Sequence, residues 1–518
     1  NATKKVRFRL FYLRLCYILC CKGQNMANSV EHKDKYTGRR EIYSRFNYVS
    51  RDNIKTIINE AITVHDANVN EIEYLKQYVS GSTPIRRRTK AVRPEICNKV
   101  SVNKALQIVN FDTGYLLGEP IQYVVKSTNK ENSNENNREI DEVITMNDIL
   151  DSESRDSLDL ELGYWLNICG VGYKGAFVRD ESEILSEDDS RLKIMVLDPR
   201  NTFVVKTNTP DHTPLMAVTI SIDSSTGIDI TTYSCYTKNH YYEVCGENIT
   251  VDEPKLMPYI PIVEYVLNPL RLGAFEPVLS LLDAIDNIRS NQLDGIEQVI
   301  QALMVFTNAD INDEIFQSLK DKGCIRLPEG ASVDYLVQEL KQVDTNALVD
   351  AIETSIDDIC CQPTRTGGST SDTGTSVILK NGYEQAEAKA KISEKFFNKS
   401  ERQFLKIVIN ILNVTANLSL KSYKIKIRFT RRNYENITSK TNVLTQMLST
   451  DKIHPKLAFE HCGMFADPAR AYKESSAYYE SKVSEQEQAL ETEMQNQRML
   501  SQKETQNENQ KKAQSEVG

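Results

Sequence analysis

Apolar positions along the chain fall into blocks of helical and strand-like spacing. Over residues 52–79, Ile54, Ile57, Ile58, Ala61, Ile62, Val69, Ile72 and Leu75 recur every three or four residues, behind an Asp able to cap the first turn. Gly81 to Pro84 closes this helix, a basic cluster follows at Arg86, Arg87, Arg88, Lys90 and Arg93, and a second helical pattern runs over 102–114. Residues 127–138 contain no apolar side chain and read as an exposed insertion. A helix over 156–168, with the only tryptophan, Trp165, precedes a strand at 176–178. Between 194 and 266 the pattern changes to short runs rich in Val, Ile, Thr and Tyr at 203–206, 217–222, 228–236 and 240–244, a β-rich lobe with hairpin turns at 224–227 and 238–239.

Past Pro269 the helical period returns. Pro277 suits a first helical turn, and Val278, Leu281, Leu282, Ile285, Ile288, Ile296, Val299, Ile300 and Leu303 predict a helix of about 30 residues, roughly 45 Å long. Its opposite face bears Asp283, Asp286, Asp294 and Glu297. A small hairpin is expected from 324–327 and 332–337 around Pro328, Glu329 and Gly330. A second acidic helix follows over 345–361 with Asp350, Glu353 and Asp357, then a Gly, Ser and Thr loop at 364–376 and a long helix over 377–413. Short helices are predicted at 437–448 and 455–461. Asp467 and Pro468 open a last helix whose sequence beyond 484 is almost entirely polar. Helices and strands in separate blocks define an α+β chain.

Composition narrows the function classes. The 518 residues suffice for about three domains. No stretch between Met26 and Gly518 approaches the ~20 apolar residues of a membrane span. A net charge of -9 has the wrong sign for a protein that grips nucleic acid along a groove. Eleven cysteines without a CxxC pair suit a reducing compartment. Residues 1–25 carry six cations and no acid, then an apolar run; we read them as a translated leader with Met26 as the start, since residues 22–26 can be encoded as a purine-rich ribosome-binding sequence upstream of a start codon.

Catalytic signals are weak. Gly170, Gly172 and Gly175 match G-x-G-x-x-G, which cradles a pyrophosphate when it leaves a strand and opens a helix; here a helix comes first and a strand follows, so the glycines are expected to terminate a helix. No G-x-x-x-x-G-K-[ST] sequence occurs. His454 and His461 lack a metalloprotease pattern, Cys360 and Cys361 read as small hydrophobes at a helix end, and no nucleophile, base and orienter adjoin in sequence. The basic cluster at 86–93 fits a phosphate or localisation patch, or a solvated or subunit-facing segment. No cofactor or metal is predicted.

Two acidic helices flanking a hairpin, then a Gly, Ser and Thr loop and a long helix, give an order that resembles the portal proteins of tailed bacteriophages, in particular the family typified by phage SPP1. Gly114-Tyr115-Leu116-Leu117-Gly118-Glu119-Pro120-Ile121 is similar to that family's Gly-Tyr-Leu-x-Gly-x-Pro-Ile signature. Asp198-Pro199-Arg200-Asn201-Thr202-Phe203, Cys324-Ile325-Arg326-Leu327-Pro328-Glu329-Gly330 and the helix from Asp283 to Leu293 are similar as well. The resemblance covers residues 43–480. One departure is Thr375, Ser376, Val377 and Ile378, where the family has Ser-Gly-Val-Ala.

The resemblance implies a portal fold: a β-rich wing (26–268 and 418–436), a two-helix stem (269–306 and 345–363), a small α/β clip (307–344), a tunnel loop (364–376), a long helix (377–417), an α-helical crown (437–483) and a polar tail (484–518). It implies a non-enzymatic ring, about twelve copies of this chain at one capsid vertex of the virion. That ring would be assembled in the host bacterial cytoplasm and form a channel for packaging, retention and ejection of double-stranded DNA. Implied partners are the terminase large subunit, a head-completion adaptor, and the major capsid and scaffolding proteins; no membrane is involved. The two stem helices hold a net nine negative charges per subunit, which would make a bore that repels phosphates. Asp283, Asp286, Asp294, Glu297, Asp350, Glu353 and Asp357 are the expected channel residues. Arg365, Gly367, Gly368 and Gly374 would form the DNA-touching loop, and Lys320, Lys322 and Arg326 the partner-binding clip. Another ring-forming head or tail adaptor would be shorter and lack paired stem helices, and a nucleic-acid-binding enzyme would need a titratable constellation.

Overall fold

The computed structural model describes residues 38–126, 133–184, 190–224, 230–246, 248–255, 257–300, 303–307, 317, 329–336, 342–363, 383–429, 437–450, 452–465 and 468–515. It is a mixed α+β chain. In order come β1 (Ile42–Ser44), α1 (Ile54–Val79), α2 (Lys104–Leu117), β2 (Gln122–Val125), α3 (Ser133–Ser152), α4 (Arg155–Cys169) and β3 (Val171–Val178). Then follow β4 (Leu192–Leu197), β5 (Thr202–Thr207), β6 (Pro214–Asp223), β7 (Ile230–Thr237), β8 (His240–Cys245), β9 (Asn248–Pro254) and β10 (Ile262–Val266). The second half contains α5 (Leu279–Ile300), β11 (Leu303–Thr307), β12 (Ser332–Leu336), α6 (Gln342–Cys360) and α7 (Tyr383–Thr415). After β13 (Ile425–Arg428) the chain ends in α8 (Ile437–Leu448), α9 (Pro455–His461) and α10 (Pro468–Ser515).

The largest sheet has the order β1-β5-β6-β7-β8-β9. Its β1 lies parallel to β5, and the remaining pairs are antiparallel. A three-stranded sheet, β10-β3-β4, and a pair formed by β2 and β13 complete the β structure of this region. Helix α1 joins two cores. Its first half buries Ile54, Ile57, Ile58 and Ala61 against Phe203, Val205, Met216 and Val218 of the large sheet. Its second half places Ile72, Leu75 and Tyr78 in a larger core shared with α2, α4, β3, β10, α5 and α7. Asn53 rather than Asp52 takes the N-cap position, and its side chain holds the preceding turn through Ser50 N–H (2.8 Å) and Tyr48 O (3.0 Å).

Three expectations are revised. The polar insertion is helical from Ser133, because buried Val143, Met146 and Leu150 nucleate a helix that propagates back into the polar turn; residues 127–132 lie outside the described residues. Helix α5 spans 22 residues, about 33 Å, and stops before Leu303. The β-prone Leu-Met-Val-Phe-Thr sequence that follows instead pairs antiparallel with β12, Val305 opposite Asp334. Residues 324–327, expected to partner β12, lie outside the described residues. Of the three motif glycines only Gly170 ends a helix, with φ +78° and its N–H on Leu166 O at 2.8 Å. Gly172 lies inside β3, where a Cβ would stand 2.7 Å from Leu162 Cδ1, so it serves close helix–strand packing.

Candidate functional site

Helix α5 carries four acids, and the structure divides them by face. Asp283, Asp286, Ser290 and Asp294 are three, four and four residues apart, one stripe of the helix. That stripe is covered by segment 83–102, which opens with a 3-10 turn at Pro84–Arg87 and whose later backbone donors Asn98, Val100 and Val102 bond the stripe. Asp286 is 4% exposed and accepts from Thr83 Oγ1 and the Val102 N–H, both at 2.9 Å. Buried Ser290 accepts from the Val100 N–H at 3.0 Å. Asp294, 3% exposed, accepts from the Asn98 N–H (2.7 Å) and Asn98 Nδ2 (3.0 Å), and pairs with Lys90 Nζ (2.7 Å) and Arg88 Nη2 (3.2 Å). Burial alone would raise its pKa, but the Lys90 and Asn98 hydrogen bonds outweigh it and hold the carboxyl below its usual range. Half-buried Asp283 accepts from Tyr78 Oη at 2.9 Å, and burial pushes its pKa up. Glu297 is half-buried near the end of the helix.

The basic cluster therefore belongs to this stripe in part. Arg88 and Lys90 are committed to Asp294, Arg93 pairs with Glu95 (3.2 Å), and Arg86 Nε donates to Gly81 O (2.5 Å). Arg86, Arg87 and Lys99 remain exposed.

Helix α6 presents the opposite case. Val349, Ile356 and Cys360 are buried, while Ala347, Asp350, Ala351, Thr354, Ser355 and Asp358 are exposed on the other side. Two carboxylates two turns apart among small side chains make an open acidic face. Glu353 and Asp357 are partly covered and lie 3.7 and 3.1 Å from Lys104 Nζ, which opens α2. The sequence missed Asp358 as a candidate, although its i+8 spacing from Asp350 places both on one face. Arg365, Gly367, Gly368 and Gly374, and likewise Lys320, Lys322 and Arg326, lie outside the described residues.

Sequence reasoning also missed a buried ionic cluster beneath α7. Lys174 Nζ on β3 reaches Asp159 Oδ1 on α4 (2.8 Å) and Glu401 Oε1 and Oε2 on α7 (3.1 Å each), with Lys174 and Glu401 wholly buried. Tyr123 and Tyr265 donate their hydroxyls to the same Glu401 carboxylate. Burial opposes the Lys174 charge, yet Asp159 and Glu401 raise its pKa, so it is held as the cation. The available signal was a charge on an apolar helix face: Glu401 lies between Phe397, Phe404, Leu405 and Val408. Among the described residues, no group of three or more His, Cys, Asp or Glu side chains is arranged to hold a metal, and no helix is long and apolar enough to cross a membrane.

Against known proteins, a family model described as "Phage portal protein, SPP1 Gp6-like" matches residues 58–500. No curated protein matches the chain.

Proposed function

The chain belongs to the SPP1-like family of phage portal proteins, and we propose from that premise how its parts divide the work of a DNA channel. Membership places it, as a structural protein, in an oligomeric ring at a capsid vertex, with capsid and terminase partners. The finer reading is a closed ring of about twelve copies, passing double-stranded DNA without sequence recognition and docking a head-completion adaptor after packaging. In it, residues 26–268 and 418–436 are the wing, α5 and α6 the stem, 307–344 the clip and 437–483 the crown. The chain's length and its paired α5 and α6 favour this over a small adaptor.

The observation that carries the reading is the family match over 58–500. The geometry supports a narrower set of channel candidates. Asp286 and Asp294 are buried against 83–102, and assembly can only bury them further; Asp283 is tied to Tyr78. The free acidic face of the stem is that of α6, with Asp350 and Asp358 exposed and Glu353 and Asp357 at its margin. A ring of such faces repels phosphates, so a duplex meets no deep contact and slides. Arg365 with Gly367, Gly368 and Gly374 would contribute weak, salt-screened contacts to the phosphates. Lys320, Lys322 and Arg326 would dock the terminase large subunit and then the adaptor. No nucleotide hydrolysis is assigned to this chain, since its glycine motif packs a strand on a helix. Rings lacking 321–329 should assemble and enter capsids yet package no DNA in a terminase-driven assay; normal packaging by them would refute the docking assignment.

A further inference from the structure

Residues on both sides of the connection between α6 and α7 meet on one side chain. Helix α6 ends at Cys360, and Cys361 turns the chain with φ +53°, a left-handed conformation that non-glycine residues seldom adopt. Gln362 then points inward, is buried, and donates from Nε2 to Asp112 Oδ1 on α2 at 2.9 Å. On the far side of the connection, Lys389 on α7 donates from Nζ to the other oxygen, Asp112 Oδ2, at 2.7 Å. The same ammonium donates to Cys360 O at 2.8 Å, a terminal carbonyl of α6 that has no partner within its own helix. One turn away, Tyr115 Oη of α2 donates to Glu387 Oε2 of α7 at 3.1 Å.

A bond between α2 and α7 alone would need only Lys389. Here each carboxylate oxygen holds a residue on a different side of the α6–α7 connection. The arrangement is closed into a triangle by the Lys389 bond to Cys360 O. Burial pushes the Asp112 pKa up despite the Lys389 and Gln362 hydrogen bonds, so removing either arm favours the neutral carboxyl further and weakens the other.

We propose that Asp112 is a positioning residue that ties Gln362, just past α6, and Lys389, within α7, to α2, so that the two helices on either side of the connection move with α2 as one unit. The role in DNA passage rests on the portal reading above, in which this connection faces the duplex; the clasp itself does not.

Assembled rings of the full chain carrying Lys389→Met and, separately, Gln362→Met would be compared with the parent by amide hydrogen exchange at 355–363 and 383–392. The proposal expects crossed effects: Lys389→Met accelerates 355–363, and Gln362→Met accelerates 383–392. Each should be at least about tenfold, the scale on which loss of a charge-assisted hydrogen bond shifts a local opening equilibrium. Lys389→Arg, which keeps donors for the carboxylate, should restore most of the protection. Acceleration confined to the mutated end, or none at either end, would overturn the clasp. Packaged DNA length in the same variants separates the two readings: crossed exchange with unchanged DNA length leaves Asp112 as the clasp and refutes the DNA-facing role of the connection.

Discussion

Glu401 shows how much a single charge can organise in this protein. It stands on the apolar face of α7 among Phe397, Phe404 and Leu405 and draws in Lys174 and the hydroxyls of Tyr123 and Tyr265 from three other elements. An ion pair in such a place is weak support for stability as a whole, but removing one partner strands the other in a low dielectric. Lys174→Met should therefore destabilise the fold by about 3–5 kcal/mol, because Asp159 and Glu401 lose their shared cation. Denaturant unfolding of the full chain would measure it, and adding Glu401→Gln to Lys174→Met should recover part of the loss. A Lys174→Met midpoint equal to the parent's would remove the cluster from the account. Nothing in the spacing of Lys174, Asp159 and Glu401 announces their meeting, since it depends on β3, α4 and α7 being brought together by the core.

Among the elements, α5 with segment 83–102 is where the sequence and the structure diverge most usefully. The period of apolar residues locates α5, and the acid stripe on its other side is equally legible, but period alone assigns that stripe to solvent. What it lacks is the neighbour: a proline-started, strand-free segment with bare backbone N–H groups that Asp286, Ser290 and Asp294 accept. Asp294→Ala should free this segment while leaving the ring formed, and limited trypsin digestion at Arg86, Arg87 and Arg88 should accelerate by roughly tenfold or more, as exposed, unanchored backbone is what proteases select. Unchanged cleavage would mean that apolar contacts alone hold 83–102. Where a helix is set by local signals the reading holds closely. The helices expected at 437–448 and 455–461 match α8 and α9, with Pro455 at the first helical position and His454 accepting from the Lys456 N–H at 3.2 Å. The end of α5 depends instead on β11 finding β12 some 25 residues later, a long-range pairing with no local signature.

Over the whole molecule, charge is sorted rather than spread. Arg88 and Lys90 are laid over α5, while Asp350 and Asp358 of α6 and Arg86, Arg87 and Lys99 are exposed. A head-to-tail ring needs two unlike patches on each subunit, and the two paired helices expose Leu293, Ile296, Leu348 and Ile359 beside charged groups. As a portal-family member the chain works in an oligomeric ring. The measurement that tests it most directly is the solution mass of the purified particle by light scattering. The account predicts an assembly of about twelve copies of the 59.0 kDa chain, give or take a subunit for rings formed outside a capsid; a monomer persisting at high protein concentration would contradict it.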